Sequence, residues 1–449
     1  MKIAVIGGVA AGTSAAAKAR RKNKNAEIVL FEKDYDISYA GCGLPYYISE
    51  VIEGREKVVI NSPEDFSKKY NIDVKVGHEV LKINTDNKNL KYKDLSTNKE
   101  EKYDYDKLII TTGASPVMPP IPGHDLENIV PLRTVSDADR IKELVNKKDM
   151  KKATIVGAGL IGLEMAESFQ EAGLEVSVIE KLPHVLPIIS DEMSELVENH
   201  LREKNVNLIV GDGVSEFAGN KSVEKVITEK GKEIETDLVL MSIGVKPNVG
   251  LAKEAGIEIG ETGAIAVNEK METSIDDIYA AGDCAESKDL ITDNPAWVPL
   301  GSTANKQGRT AGENAAGGNY EHKGILKTGI TKIFDLTVAR TGLLASEAKE
   351  NGFEVEEVKI KGVDHAGYYP NLNKLHLKGV FDKNTNKILG ATVIGENGAD
   401  KRIDVLSTAI YSGLTANDLF QIDLAYAPPY STPKDAAAVL GMVAEKKLK

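Results

Sequence analysis

The strongest constraint on this chain is that one unit of strand, glycine turn, helix and strand occurs in it twice. Segments starting at Ile3 and at Thr154 pass through the same parts in the same order. In the first, Ile3-Ala4-Val5-Ile6 meets Gly7, an alanine-rich helix runs through Ala15-Ala16-Ala17, and Ile28-Val29-Leu30-Phe31 ends at Glu32-Lys33. In the second, Thr154-Ile155-Val156 meets Gly157, a helix carries Glu164-Met165-Ala166-Glu167, and Val176-Ser177-Val178-Ile179 ends at Glu180-Lys181. Short apolar runs of this kind read as strands buried on both faces, and a glycine turn feeding a helix between two of them is the βαβ unit of parallel sheets. The repeat therefore predicts two nucleotide-binding units.

At 449 residues the chain has room for two or three domains of ordinary size. Two further strands, Lys107 to Gly113 and Asp237 to Gly244, also stop on glycine and read as matching crossings between domains. Pro116, Pro119, Pro120 and Pro122 follow the first and Pro247 the second, and proline favours an extended linker because it donates nothing to a ladder. The second unit is thus read as an insertion, residues 115–244, within a discontinuous domain of residues 1–114 and 245–322; residues 323–449 form a third domain. Alternation between Lys374 and Ile394, with Leu375, Leu377, Val380 and Phe381 apolar, predicts an antiparallel sheet in that last region.

Composition narrows the function classes. Asp and Glu (68) outnumber Lys and Arg (56), for a net charge of -12, which disfavours a protein that coats nucleic-acid phosphates. One Trp and 5% aromatic residues argue against a sugar- or base-stacking surface. Cys42 and Cys284 are too few for a disulfide scaffold or a cysteine-only metal site, and the seven histidines form no ligand array, so no metal is expected. The first residues enter a strand pattern at once, with no charged leader, and no apolar run reaches the ~20 residues of a membrane span. The expectation is a folded cytoplasmic protein.

Gly157-Ala158-Gly159-Leu160-Ile161-Gly162 is a complete G-x-G-x-x-G between strand and helix. Gly157 permits the turn, Gly159 lets a pyrophosphate approach the backbone, and Gly162 allows close helix packing, while the helix start offers free N–H donors. Glu180 closes the second strand, where a carboxylate accepts from ribose hydroxyls and repels the extra phosphate of NADPH. NADH is the favoured ligand, with NADPH left open by the neighbouring Lys181. The first loop, Gly7-Gly8-Val9-Ala10-Ala11-Gly12, is degenerate at Val9, but Glu32 closes its second strand in the same way. Ile278-Tyr279-Ala280-Ala281-Gly282-Asp283 adds a short strand ending in a carboxylate.

With these parts the sequence resembles the flavoprotein disulfide reductases that bind two dinucleotides. The resemblance implies a glutathione-reductase-like α/β fold, with two Rossmann-like dinucleotide-binding domains and a C-terminal α+β dimerisation domain. It places FAD on Gly7, Gly12, Glu32 and Asp283, and NAD(P)H on Gly157, Gly159, Gly162 and Glu180. Gly8, Ala10, Ala11, Lys33, Thr112, Gly113, Gly244 and Gly282 are further cofactor-binding positions on the same grounds.

Ser38-Tyr39-Ala40-Gly41-Cys42-Gly43-Leu44-Pro45-Tyr46-Tyr47 holds one cysteine where dithiol members have Cys-x-x-x-x-Cys, and Tyr47 stands at the second position. Cys42 must then pair with an external thiol or cycle through sulfenic acid. The tract looks like that of the coenzyme A disulfide reductases, and Tyr426-Ala427-Pro428-Pro429-Tyr430 near the carboxy terminus supports this. The resemblance implies that Tyr426 and Tyr368, with Tyr430 close by, assist at the other subunit's cysteine. It puts Ser14, Lys18, Arg21, Ser38 and Lys434 against coenzyme A. It further implies a homodimer acting on a small disulfide, persulfide or polysulfide. Two alternatives remain: an NADH oxidase or peroxidase with a Cys42 sulfenic acid and an oxygen species as acceptor, and a flavin-based redox sensor. Cys284 and His365 read as packing and loop residues.

Overall fold

The computed structural model describes all 449 residues. The first repeat folds as β1 (Lys2–Ile6), α1 (Ala10–Lys22) and β2 (Glu27–Glu32). The chain continues through α2 (Leu44–Ile48), β3 (Asp73–Val76) and β4 (Lys107–Ile110). The second unit opens with β5 (Ile129–Val130) and α3 (Val135–Val145), and its repeat then runs β6 (Lys152–Val156), α4 (Leu160–Glu171), β7 (Glu175–Glu180), β8 (Asn207–Val210) and β9 (Leu238–Met241). A last strand, β10 (Ile278–Ala280), returns to the first sheet.

Both repeats build five-stranded parallel sheets, ordered β10-β4-β1-β2-β3 and β8-β7-β6-β9-β5. Ile3 to Ile6 and Leu238 to Met241 are buried at every position, as expected where helices cover both faces. The alanines of α1 have a specific cause. The helix Gly301–Ala315 lies so close that a Cβ at Gly308 would stand 2.2 Å from the Ala11 carbonyl oxygen and one at Gly312 2.1 Å from that of Ala15. Only small residues allow two helices to approach so far.

The chain enters and leaves the second unit through an antiparallel ladder, Ala114–Pro116 against Val245–Pro247. Asn248 ties the two crossings, accepting from Ser115 Oγ (2.8 Å) and donating to the Thr112 carbonyl (2.8 Å). The carboxy-terminal region is a five-stranded antiparallel sheet of Gly329–Ile333, Leu336–Gly342, Ile388–Gly395, Lys374–Asp382 and Val355–Val363 in that spatial order. Its simple alternation gives way to Ile388–Gly395, which is buried along its whole length. Val393 packs with the helices Ala399–Tyr411 and Ala436–Leu448, while Ile394, Val338 and Ile333 join the core of the second unit. A sheet covered on both faces loses its polar side.

Candidate functional site

The two glycine loops share their turn geometry and hydrogen bonds, differing at Val9 against Gly159. Gly7 and Gly157 both take φ +102, open to glycine at little cost. A Cβ on Gly12 would stand 1.8 Å from the Gly7 carbonyl oxygen, and one on Gly162 2.1 Å from that of Gly157. Thr111 Oγ1 donates to Gly7 O (3.0 Å) as Ser242 Oγ does to Gly157 O (2.9 Å). Glu32 accepts from Gly8 N (2.6 Å) and Asp34 N (3.0 Å); Glu180 accepts from Ala158 N (2.7 Å) and Leu182 N (2.8 Å). Burial pushes the Glu32 carboxyl above the usual range, against the opposing N–H bonds from Asp34 and Gly8.

Neither α1 nor α4 has a side-chain cap, so the N–H groups of both first turns remain for an anion. At Gly159 a Cβ would meet nothing within 4 Å, and the same holds at Gly244, whose φ is +112. Open space over a helix start, with a buried carboxylate at the neighbouring strand end, fits a dinucleotide in the second unit, and the first unit repeats the uncapped helix and the buried carboxylate.

Beyond β10, Gly282 takes φ +82, and its N–H donates to Gln307 Oε1 (2.8 Å). Asp283 follows, bonded by Arg133 Nη2 at 2.7 Å, and Trp297 Nε1 donates to its carbonyl at 2.9 Å. Arg133 comes from the other unit, between β5 and α3, and also borders Gly113, where a Cβ would lie 3.4 Å from Nη2. Sequence reading missed this cation. Its only local signal is an Arg-Thr pair before the capping box of Thr134 and Asp137, and the 133-to-283 pairing spans the domain boundary.

Cys42 sits on a single 3-10 turn, Gly41–Gly43, that runs into α2. The turn hangs from the first glycine loop, since Ser38, at φ +52, donates its N–H to Gly8 O (2.9 Å). Ser168 of α4 bonds the Pro45 carbonyl (3.0 Å), which fixes α2 against the second unit. Tyr47 turns away from the thiol: its hydroxyl donates to Asp139 Oδ1 (2.9 Å) and Lys142 lies over its ring. Cys42 is exposed. Burial, then Glu164, then Asp283 raise its thiol above the ordinary value, while Arg133 opposes them. Glu164, also missed, hydrogen-bonds Thr331 Oγ1 (2.8 Å), and burial raises its carboxyl. Cys284 is fully buried against the Ile110 and Ala281 carbonyls, a packing residue.

Tyr368 and Tyr426, 58 positions apart, meet with their hydroxyls 3.1 Å from one another. Both side chains are exposed, Tyr368 at 76%, and neither bonds to Cys42 of its own chain. Their loops are fixed from beneath. Arg402, 2% exposed, reaches the Asp364 carbonyl (2.8 Å) and Asp435 Oδ2 (2.8 Å). His365 bonds Asp364 (2.8 Å) and the Pro370 carbonyl (3.0 Å), so it is a loop anchor. Tyr430 is 70% exposed and stands outside the pair. Among the expected substrate contacts, Lys18 pairs with Glu313 (2.6 Å), Ser14 Oγ donates to Asn305 (2.6 Å) and Arg21 stacks over Tyr70. Ser38 Oγ accepts from Asn61 (2.9 Å), and the Lys434 carbonyl accepts from Thr432 (2.6 Å). No group of three or more His, Cys, Asp or Glu side chains is placed to hold a metal ion, and no helix is long and apolar enough to cross a membrane.

Two parallel nucleotide units around a lone thiol define a flavoprotein class. The chain belongs to the pyridine nucleotide-disulphide oxidoreductases, FAD- and NAD(P)H-dependent enzymes, matching that family over residues 1–308 and its dimerisation domain over residues 329–437. It is 41% identical over 444 residues to the NAD(P)H sulfur oxidoreductase (CoA-dependent) of Pyrococcus furiosus, covering 98% of each chain. It is 36% identical to the NADH oxidase of Methanocaldococcus jannaschii, covering 100% of this chain and 99% of that one. Reduced CoADR-RHD of Bacillus anthracis superposes with a TM-score of 0.97 at 42% identity, covering 100% of this chain and 80% of the other.

Proposed function

We propose that this chain reduces coenzyme A disulfide, or a related persulfide or polysulfide, with NAD(P)H through Cys42 alone. The observation that carries the reading is the setting of that thiol, exposed at the surface, with Tyr47 locked onto Asp139 where a dithiol enzyme has its second sulfur. When bound, FAD supplies a relay for one electron pair between NAD(P)H and sulfur. Gly7 to Gly12, Glu32 and Asp283 hold it, with Arg133 beside them, while Gly157 to Gly162 and Glu180 hold the reductant.

A mixed disulfide of Cys42 and coenzyme A takes up the electron pair, its S–S bond breaks, and coenzyme A and the Cys42 thiolate separate. The thiolate attacks one sulfur of an incoming disulfide, that S–S bond breaks, and the mixed disulfide is restored as the second thiol leaves. The net reaction turns NAD(P)H, a proton and one disulfide into NAD(P)+ and two thiols. In a homodimer, the Tyr368 and Tyr426 pair of one protomer serves Cys42 of the other by donating to the departing sulfur. Tyr430 stands at the edge of that contact. A phenol suits this role because it is protonated at neutral pH. Ser14, Lys18, Arg21, Ser38 and Lys434 contact coenzyme A, Lys18 by turning from Glu313. The reducing cytoplasm suits a chemistry resting on free thiols.

The test is NADH consumption without oxygen in the presence of coenzyme A disulfide, beside the intact mass of the unreduced protein. Turnover and a coenzyme A adduct on Cys42 are expected. No anaerobic turnover, with rapid oxygen-dependent consumption and an added oxygen on Cys42, would replace this reading by the oxidase one.

A further inference from the structure

We propose that Glu229, at the tip of the hairpin Val223–Thr228 and Glu233–Glu235, sets a preference for NADH over NADPH by holding the ammonium of Lys181. The proposal rests on the reading that NAD(P)H occupies the loop from Gly157 to Gly162 and the carboxylate of Glu180.

Glu180 takes one backbone N–H bond on each oxygen and keeps acceptor capacity for the ribose, and the next side chain along is Lys181, 71% exposed. A cation at that position is what a 2′-phosphate requires. Lys181 is engaged instead: Nζ lies 2.9 Å from Glu229 Oε1. The partner is delivered by backbone bonds that do not depend on the ion pair. Gly211 N donates to Leu182 O (2.8 Å) and Asp212 N to Glu180 O (3.1 Å), which ties the loop after β8 to the end of β7. Glu229 N donates to Gly213 O (2.8 Å) and Lys230 N to Asp212 Oδ1 (3.1 Å), which docks the hairpin tip on that loop.

A carboxylate held there acts on a 2′-phosphate by occupying the nearest ammonium. NADH, with a 2′-hydroxyl bonded to Glu180, is indifferent to that. The pair is exposed, so its effect is that of a surface ion pair, a factor of up to about 5 in affinity.

The experiment is anaerobic reduction of the bound flavin in the holoenzyme at low ionic strength, which needs no acceptor and is independent of the disulfide chemistry. Glu229→Gln is expected to lower the half-saturating NADPH concentration about two- to fivefold, with the limiting rate and the values for NADH unchanged. Glu229→Asp, which keeps the charge, stays near wild type, and Lys181→Ala in the Glu229→Gln background removes the gain. Equal shifts for both nucleotides, no shift at all, or a gain that survives Lys181→Ala would overturn the proposal. Glu180→Ala separates the two levels: unchanged half-saturation for both nucleotides there would remove the binding site itself, and the role of Glu229 with it.

Discussion

In both nucleotide units a carboxylate at the end of the second strand takes two backbone N–H bonds, and a hydroxyl from the fourth strand caps the first loop glycine. The fifth strand breaks the likeness. In the first unit it is β10, which arrives from late in the chain and delivers Asp283; in the second it is β5, which precedes the repeat and delivers Arg133. The ends of these two strands meet, Arg133 on Asp283 at 2.7 Å. The repeated elements thus make two similar binding loops, and the unrepeated ones join the loops to each other and to Cys42. The binding loop is duplicated; on the reading proposed above, the reactive thiol belongs to the first unit alone.

The sharpest way to break that assignment is Cys42→Ser. Disulfide reduction should fall at least about 10³-fold, while flavin absorbance and reduction by NADH persist; retained turnover would move the chemistry elsewhere. Next in size are Gly12→Ala and Gly162→Ala, where the new methyl would collide with a backbone carbonyl in each unit. Each is expected to cost about 1–3 kcal/mol or more in denaturant unfolding, the first also releasing FAD and the second weakening NADH. Gly159→Ala tests the open loop, because its Cβ meets no protein atom. Stability should hold while the half-saturating NADH concentration rises about tenfold, ~1.4 kcal/mol.

The smallest expected effect concerns the coupling between units. In the flavin-free protein, alkylation of Cys42 should quicken as pH rises past the ordinary thiol range, since burial and the carboxylates disfavour the thiolate. Glu164→Gln removes one of those carboxylates and should shift the profile to lower pH. Arg133→Met removes the opposing cation and should shift it to higher pH. Shifts in the opposite sense would deny that the second unit tunes the first.

Much of this architecture was legible from local pattern. Continuous apolar runs, glycines before helices and acids at strand ends are properties of a few adjacent residues, so both βαβ units and the carboxylates Glu32 and Glu180 stand out in the chain. The pairing of Tyr368 with Tyr426 was approached only through resemblance, because no local rule brings residues from two loops together; the buried Arg402 beneath them does so. Arg133 and Glu164 escaped notice for a related reason. Each lies in a segment whose own pattern is that of an ordinary capped or amphipathic helix, and each matters through a group in another domain.

The amino-acid order by itself determined two nucleotide loops, a thiol without a neighbouring partner, and a tyrosine-bearing tail, since backbone conformation and hydrophobic period are short-range. Only the tertiary structure decided which charges surround that thiol, which lysine Glu229 engages and where the fifth strands end. Electrostatic interactions act through space between groups far apart in the chain, and their sign and size depend on distances that only the packed domains establish.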